Sequence, residues 1–282
     1  MSTLTLDNGT LWYDQKGSGP PLVLLHGGWQ DSNSWQQQVD HFSEEYSVLT
    51  FDIRGHGKTG ATDTDEYTID LFVDDLEQLL AHLDIENPIL VGASIGGIII
   101  QEYLDRHPSR ARGAVISGPL QSIPPVKLPP GMNSLTSPMP AISGMLSTIG
   151  PKGTFRSLIS AVSATNGGTW LTTESDVQSK AMDAVGEFTR EEYEKVFRAV
   201  YGYELPDLSH VETPLLVLYG EHEVSQGKEQ GKQIAKTVGE GLWQEIPDAG
   251  HLANQDRPQA FNAACSEFFA GLAPKDELVD SN

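Results

Sequence analysis

The segment Pro88-Ile89-Leu90-Val91-Gly92-Ala93-Ser94-Ile95-Gly96-Gly97 carries the pattern G-x-S-x-G between a short apolar run and a longer apolar stretch of helical character. A strand before and a helix after are what a nucleophile elbow requires. A serine at the tip of so sharp a turn takes a strained backbone, and side chains at 92 or 96 would collide with the neighbouring strand and helix. The turn presents the hydroxyl of Ser94 above a helix N-terminus, which favours negative charge.

A serine hydroxyl alone is a weak nucleophile and needs a base. Of eight histidines, His251 follows the last predicted strand in Ile246-Pro247-Asp248-Ala249-Gly250-His251, which predicts a loop at the same edge of the sheet. His26 precedes a glycine pair and reads as a loop-shaping residue, and His56 as part of a tight turn. His41, His82, His107 and His210 read as solvated surface. A carboxylate must fix the tautomer of the base, and in the chain order Ser, acid, His it lies between 94 and 251. After the predicted strand at Pro214–Tyr219, Glu221 and Glu223 are both available, whereas Asp248 stands too near His251 and reads as a loop former. Acyl transfer also needs backbone donors for an oxyanion. The N–H of Ile95 is one. Gly28, in the turn His26-Gly27-Gly28-Trp29, supplies the other, and glycine there would let a substrate approach the backbone closely.

These residues must be positioned by a scaffold, and the pattern along the chain predicts one. Strand-like runs fall at Thr3–Leu6, Leu11–Tyr13, Pro21–Leu25, Tyr46–Phe51, Pro88–Val91, Ala114–Ile116, Pro214–Tyr219 and Trp243–Ile246. Helical periodicity falls at Thr68–Leu83, Ile95–His107, near Gly231–Val238 and at Pro258–Leu272. Continuous apolar strands separated by helices predict an α/β architecture, with a mostly parallel sheet covered on both faces. Between Pro119 and Pro206 the alternation breaks, with helical pieces near Ala141–Leu146, Phe155–Val162, Asp176–Ala184 and Arg190–Val200. The expected organisation is a core of 1–118 and 207–282 interrupted by a helical insertion at 119–206. Cys265 falls on the apolar stripe of the last helix and reads as core packing.

Thirty-nine Asp and Glu against eighteen Lys and Arg give a formal net charge of −21 over 282 residues. Such a field repels nucleic acid and anionic membrane, so neither is expected as a partner. It fits a high-salt host as well as an ordinary acidic enzyme. The acids are unevenly spread, with none from Arg106 to Thr173. One cysteine excludes an internal disulfide and a cysteine-based metal cluster. No window approaches the length of a membrane span, and the first residues lack the basic start and apolar run of a signal peptide, so a cytoplasmic location is expected.

The motifs Leu24-Leu25-His26-Gly27-Gly28, Asp52-Ile53-Arg54-Gly55-His56-Gly57-Lys58-Thr59, Gly92-Ala93-Ser94-Ile95-Gly96-Gly97, Leu218-Tyr219-Gly220-Glu221-His222-Glu223 and Gly250-His251 together resemble the α/β-hydrolase superfamily, over nearly the whole core. Within it the chain is most similar to small carboxylesterases, 3-oxoadipate enol-lactonases and cofactor-free perhydrolases. The resemblance implies a triad of Ser94, Glu223 and His251. The acid of that group stands three residues after the glycine ending the seventh strand, and Glu here takes the place of the usual Asp. It also implies that the insertion is a cap over the site, on which no specificity can be carried over; Trp29, beside the glycine pair, and the flexible thioethers of Met132, Met139 and Met145 are candidate substrate contacts. The methionines serve equally well as packing within the cap. A serine nucleophile separates the chain from haloalkane dehalogenases and epoxide hydrolases, which use Asp. The implied activity is hydrolysis of a carboxylic ester or lactone, with no cofactor or metal. The alternatives are peroxide in place of water at the same acyl-enzyme, or a hydrolase-fold receptor for a small molecule with vestigial turnover.

Overall fold

The computed structural model describes residues 2–118, 137–165, 169–201, 203, 204 and 206–272. Eight strands form one sheet: β1 (Ser2–Leu6), β2 (Gly9–Lys16), β3 (Pro21–Leu25), β4 (Ser47–Phe51), β5 (Ile89–Ala93), β6 (Gly113–Ser117), β7 (Leu215–Gly220) and β8 (Gly241–Ile246). Their order across the sheet is β1-β2-β4-β3-β5-β6-β7-β8. The pairs β1–β2 and β2–β4 are antiparallel, and every later pair is parallel. All eight strands match the sequence-based expectation to within a few residues.

The helices are α1 (Gln36–Phe42), α2 (Ile69–His82), α3 (Ile95–Arg106), α4 (Met139–Thr165), α5 (Ser175–Gly186), α6 (Arg190–Val200), α7 (Ser225–Thr237), α8 (Ala253–Asp256) and α9 (Pro258–Ala270). Alternate residues of a strand point to opposite faces. Val23, Leu25, Leu49, Leu90 and Ile116 accordingly join one buried cluster with α2 and α3, while Leu22, Leu24, Val48, Val91 and Val115 join another with α1 and α9. Two buried faces explain why the central strands read as unbroken apolar runs rather than alternating ones. Cys265 is fully buried in the second cluster, in agreement with a packing role.

Two differences from expectation have physical reasons. α1 carries no long apolar stripe because it buries a polar side chain instead: Gln38 Nε2 donates to the Asn254 carbonyl at 3.0 Å and to Asn262 Oδ1 at 2.9 Å. α7 starts at Ser225, six residues before the periodicity suggests, on a turn of Gln, Gly and Lys with little apolar content. The two helical pieces expected near 141–146 and 155–162 are two helices that meet at Gly150, whose φ 68° and ψ −178° are non-helical, with Pro151 starting the second; α4 denotes the run of both.

α4, α5 and α6 all fall in the insertion between β6 and β7. Their buried residues Phe155, Tyr193, Val196 and Phe197 belong to the same cluster as α2 and α3. These helices therefore share one continuous apolar cluster with α2 and α3. No described helix is long and apolar enough to cross a membrane.

Candidate active site

Ser94 stands between β5 and α3 with φ 50° and ψ −111°, a left-handed backbone that a side chain rarely adopts. Its amide donates to the Ser117 carbonyl at the end of β6 (2.9 Å), and its carbonyl accepts the Ile98 amide of the first turn of α3 (3.1 Å). The flanking glycines are required by contact. A Cβ at Gly92 would lie 2.5 Å from the Gly96 carbonyl oxygen, and one at Gly96 would lie 2.3 Å from that of Leu25. Strand β5, helix α3 and strand β3 thus converge too closely to admit a methyl group. The serine itself remains partly exposed.

Gly27 and Gly28 follow β3, and a Cβ at Gly27 would sit 3.5 Å from Cβ of Ser94, so this turn lies directly beside the serine. Sequence reasoning expects glycine at 28 for close approach of a substrate. The contacts add a second reason: a Cβ there would lie 2.3 Å from Cδ1 of Ile95, whose side chain fills that space. The two expected oxyanion donors belong to residues that pack on each other. His26 shapes this turn as its sequence context predicts. Its Nδ1 donates to the Gly27 carbonyl (2.8 Å), and its Nε2 accepts the Ile53 amide (3.0 Å), joining the ends of β3 and β4. Burial lowers its pKa, more than the charge of Asp52 raises it, in keeping with a neutral ring that both donates and accepts.

His251 follows β8 on a loop, and its Nδ1 donates to Glu223 Oε2 at 2.6 Å. Glu223 follows β7, and its side chain is wholly buried. Its other oxygen, Oε1, accepts the indole N–H of Trp170 (2.6 Å) and the amide of Val224 (3.0 Å). Burial alone would raise the pKa of this carboxyl. The charge of His251 and the three hydrogen bonds outweigh it and hold the carboxyl below the ordinary range. Glu221, the other acid open from sequence, is exposed and accepts the Asp248 amide at 2.9 Å, so the structure brings Glu223 and not Glu221 to the imidazole. Asp248 has φ 55° and turns the loop ahead of His251.

Two residues that sequence reasoning passes over meet the histidine. Gly118 (φ 58°) ends β6, and a Cβ on it would lie 2.8 Å from Cε1 and 2.9 Å from Nδ1 of His251. Its signal is the strand-ending Ser117-Gly118-Pro119, legible as a turn but not as a bed for a ring. Trp170, from the insertion, tilts its ring 40° against that of His251 with centroids 4.9 Å apart. Nothing in its local sequence marks it.

Of the expected substrate contacts, Trp29 (φ 58°) is stacked on Tyr193 at 4.8 Å and lies near Phe155 and Phe197, so it ties the turn after Gly28 to α4 and α6. Met139 is buried in the apolar cluster and borders a cleft of about 780 Å³ with Tyr67, Glu194 and Arg198, a cleft not lined by Ser94, Glu223 or His251. Met145 packs against the same cluster, which favours the packing reading for both. Met132 lies outside the described residues.

The chain matches known proteins in a way consistent with this arrangement. A family model described as the alpha/beta hydrolase family matches residues 22–264. The 3-oxoadipate enol-lactonase 2 of Acinetobacter baylyi is 24% identical over 93% of this chain and 94% of its own length. A non-heme chloroperoxidase of Kitasatospora aureofaciens is 36% identical over a shorter stretch, which covers 44% of each chain. The solved structure of a thermophilic esterase from Thermogutta terrifontis superimposes with a TM-score of 0.80 at 20% identity, covering 97% of this chain and 100% of that one. With its eight-stranded sheet, strained serine turn and matched family model, this chain belongs to the alpha/beta hydrolase family.

Proposed function

We propose that the protein hydrolyses a carboxylic ester or lactone through an acyl-enzyme on Ser94. The observations that carry this reading are a strained, partly exposed serine in its turn and an imidazole anchored to a buried carboxylate, both at the end of β6. Ser117 and Gly118 link the two: the first accepts the Ser94 amide, and the second lies against the ring of His251. In the reaction, His251 Nε2 takes the hydroxyl proton as Ser94 Oγ bonds to the carbonyl carbon. The carbonyl oxygen gains negative charge and is held by the N–H groups of Gly28 and Ile95. As the tetrahedral centre collapses, the bond to the alcohol oxygen breaks and the imidazolium returns the proton to it. Water then repeats the sequence in reverse, releasing the acid and restoring the serine. Glu223 keeps the proton on Nδ1 and stabilises the imidazolium throughout. On this reading the core comprises 1–118 and 207–282, and the insertion at 119–206 is a cap carried over the site by Trp29 and Trp170.

The similarity to a chloroperoxidase supports a second outcome at the same acyl-enzyme, in which peroxide replaces water and a peracid leaves. Panels of aryl esters and lactones, with and without peroxide and with a Ser94→Ala control, test both. Turnover that disappears with Ser94→Ala is expected. Turnover that survives it, or none with any member of the panel, would overturn the reading.

A further inference from the structure

The stretch of the insertion from Trp170 to Glu174 is fastened to the loop that carries His251. The His251 amide donates to the Trp170 carbonyl (2.7 Å), and the Leu252 amide to the Leu171 carbonyl (2.9 Å). The Thr173 amide donates to Asp256 Oδ2 (3.0 Å), which also accepts the Gly250 amide (2.8 Å), and Thr172 Oγ1 donates to Oδ1 of the same carboxylate. Thr173 Oγ1 donates to the Asp248 carbonyl (2.9 Å), and Arg257 pairs with Glu174. Gly250 is glycine because a Cβ would lie 2.6 Å from the Trp170 carbonyl oxygen. This stretch therefore belongs mechanically to the histidine loop, although it is part of the insertion in sequence.

From it, we infer that Trp170 is a positioning residue of the triad. Its indole N–H orients the Glu223 carboxylate, and its ring holds the plane of the His251 imidazole. The inference rests on the serine-hydrolase reading. A buried carboxylate has lone pairs on both oxygens to satisfy. Oε2 faces His251, and of the two donors on Oε1 the Val224 amide is on the adjacent residue and follows the glutamate backbone. The indole comes from an independent element and so fixes the rotation of the carboxylate relative to the imidazole. Glutamate has one more rotatable bond than aspartate, which increases the need for such an anchor. The second ring contact, 4.9 Å between centroids, leaves the imidazole little freedom to tilt.

Trp170→Phe keeps an aromatic ring and the main-chain bonds but removes the N–H. With 4-nitrophenyl butyrate as the probe, kcat is expected to fall about tenfold, the size of one hydrogen bond to a charged group, with KM within about twofold. In a Glu223→Gln background the same substitution should cost less than about twofold, since both changes act on one unit. Rates are normalised to sites titrated with a fluorophosphonate, which separates loss of fold from loss of alignment. A wild type that the fluorophosphonate does not label at Ser94 would defeat the underlying reading. Labelling with unchanged kcat, or independent losses in the cycle, would defeat the role of Trp170 alone. If Trp170→Phe does not fold, proton NMR of the wild type decides. Among the five tryptophans, the indole proton of Trp170 should lie furthest downfield, and an ordinary shift would overturn the contact.

Discussion

Around Ser94 the restraints are main-chain ones, from its own turn and the ends of β3 and β6, whereas around His251 side-chain hydrogen bonds join a main-chain bond to residue 170. The serine turn is fixed by two glycines that cannot be enlarged, by a left-handed φ, and by one bond from its amide to β6. The imidazole is fixed by Glu223 from the end of β7, by Trp170 from the insertion, and by the amide-to-carbonyl bond that ties its own loop to residue 170. The two designs fit their tasks. A nucleophile must keep one position while its bond changes, and backbone sterics give that without consuming any polar group. A base must gain and lose a proton, so its ring needs a partner that tolerates both states, and a carboxylate does so while also stabilising the imidazolium. The nucleophile side therefore resists small side-chain changes, while the base side is distributed and can be weakened by degrees.

The largest expected effect tests whether the two sides act as one. Ser94→Ala and His251→Ala should each lower kcat by on the order of 10^4-fold or more, and the double mutant should lose little further. Additive losses in steady-state kinetics would mean that serine and histidine serve separate steps, and the comparison would then be between two sites rather than two halves of one.

The same contrast explains what the sequence discloses. The serine side is legible because the pattern that announces it is contiguous. G-x-S-x-G, the strand before it and the helix after it sit within one short segment, and both glycines have the steric cause that the turn predicts. The whole sheet is legible for a related reason, since strands buried on two faces leave unbroken apolar runs. On the base side, His251 and the pair Glu221 and Glu223 can be named from strand ends, but choosing between the two acids takes a three-dimensional distance. Trp170 cannot be found at all, because its partners are 53 residues away at Glu223 and further still at His251. α1 escapes notice because a helix anchored by buried Gln38 has no apolar stripe to reveal it. The residue type at 28 is legible, but the pressure from Ile95 is not, since it is a packing relation between the turn after β3 and the start of α3.

A smaller effect sharpens the claim that sterics govern the serine side. Gly28→Ala places a methyl group where Cδ1 of Ile95 now lies, so the buried Ile95 side chain must give way beside the N–H expected to hold the oxyanion. A loss of about 10^2-fold in kcat is expected, at the low end of the cost of removing one oxyanion donor. Ile95→Ala vacates the space, so Gly28→Ala combined with Ile95→Ala should recover most of the loss that Gly28→Ala causes alone. Failure of that rescue, measured as kcat on the same ester, would mean that glycine at 28 is needed for approach of the substrate after all.

The smallest effect concerns stability and belongs to the base side. The Glu223 carboxyl is buried, yet His251 and the donors Trp170 and Val224 keep its folded pKa below that of the unfolded chain. A carboxyl with a depressed folded value binds its proton more weakly in the native state. It therefore adds stability above the unfolded pKa of about 4.3, and that contribution is lost as pH falls through the folded value. Thermal melts of wild type and Glu223→Gln should thus differ by on the order of a few degrees at pH 6, with the wild type more stable, and the gap should close as the pH approaches 3. Glu221→Gln serves as the control. Glu221 is exposed and accepts the Asp248 amide, so its replacement should leave only a small difference in melting temperature. If Glu223→Gln melts above the wild type at pH 6, the burial cost of the carboxylate exceeds what its three partners return. The base side would then be held in place at the expense of stability, as the strained turn of Ser94 is, and the contrast between the two halves would narrow to the kind of atom that does the holding.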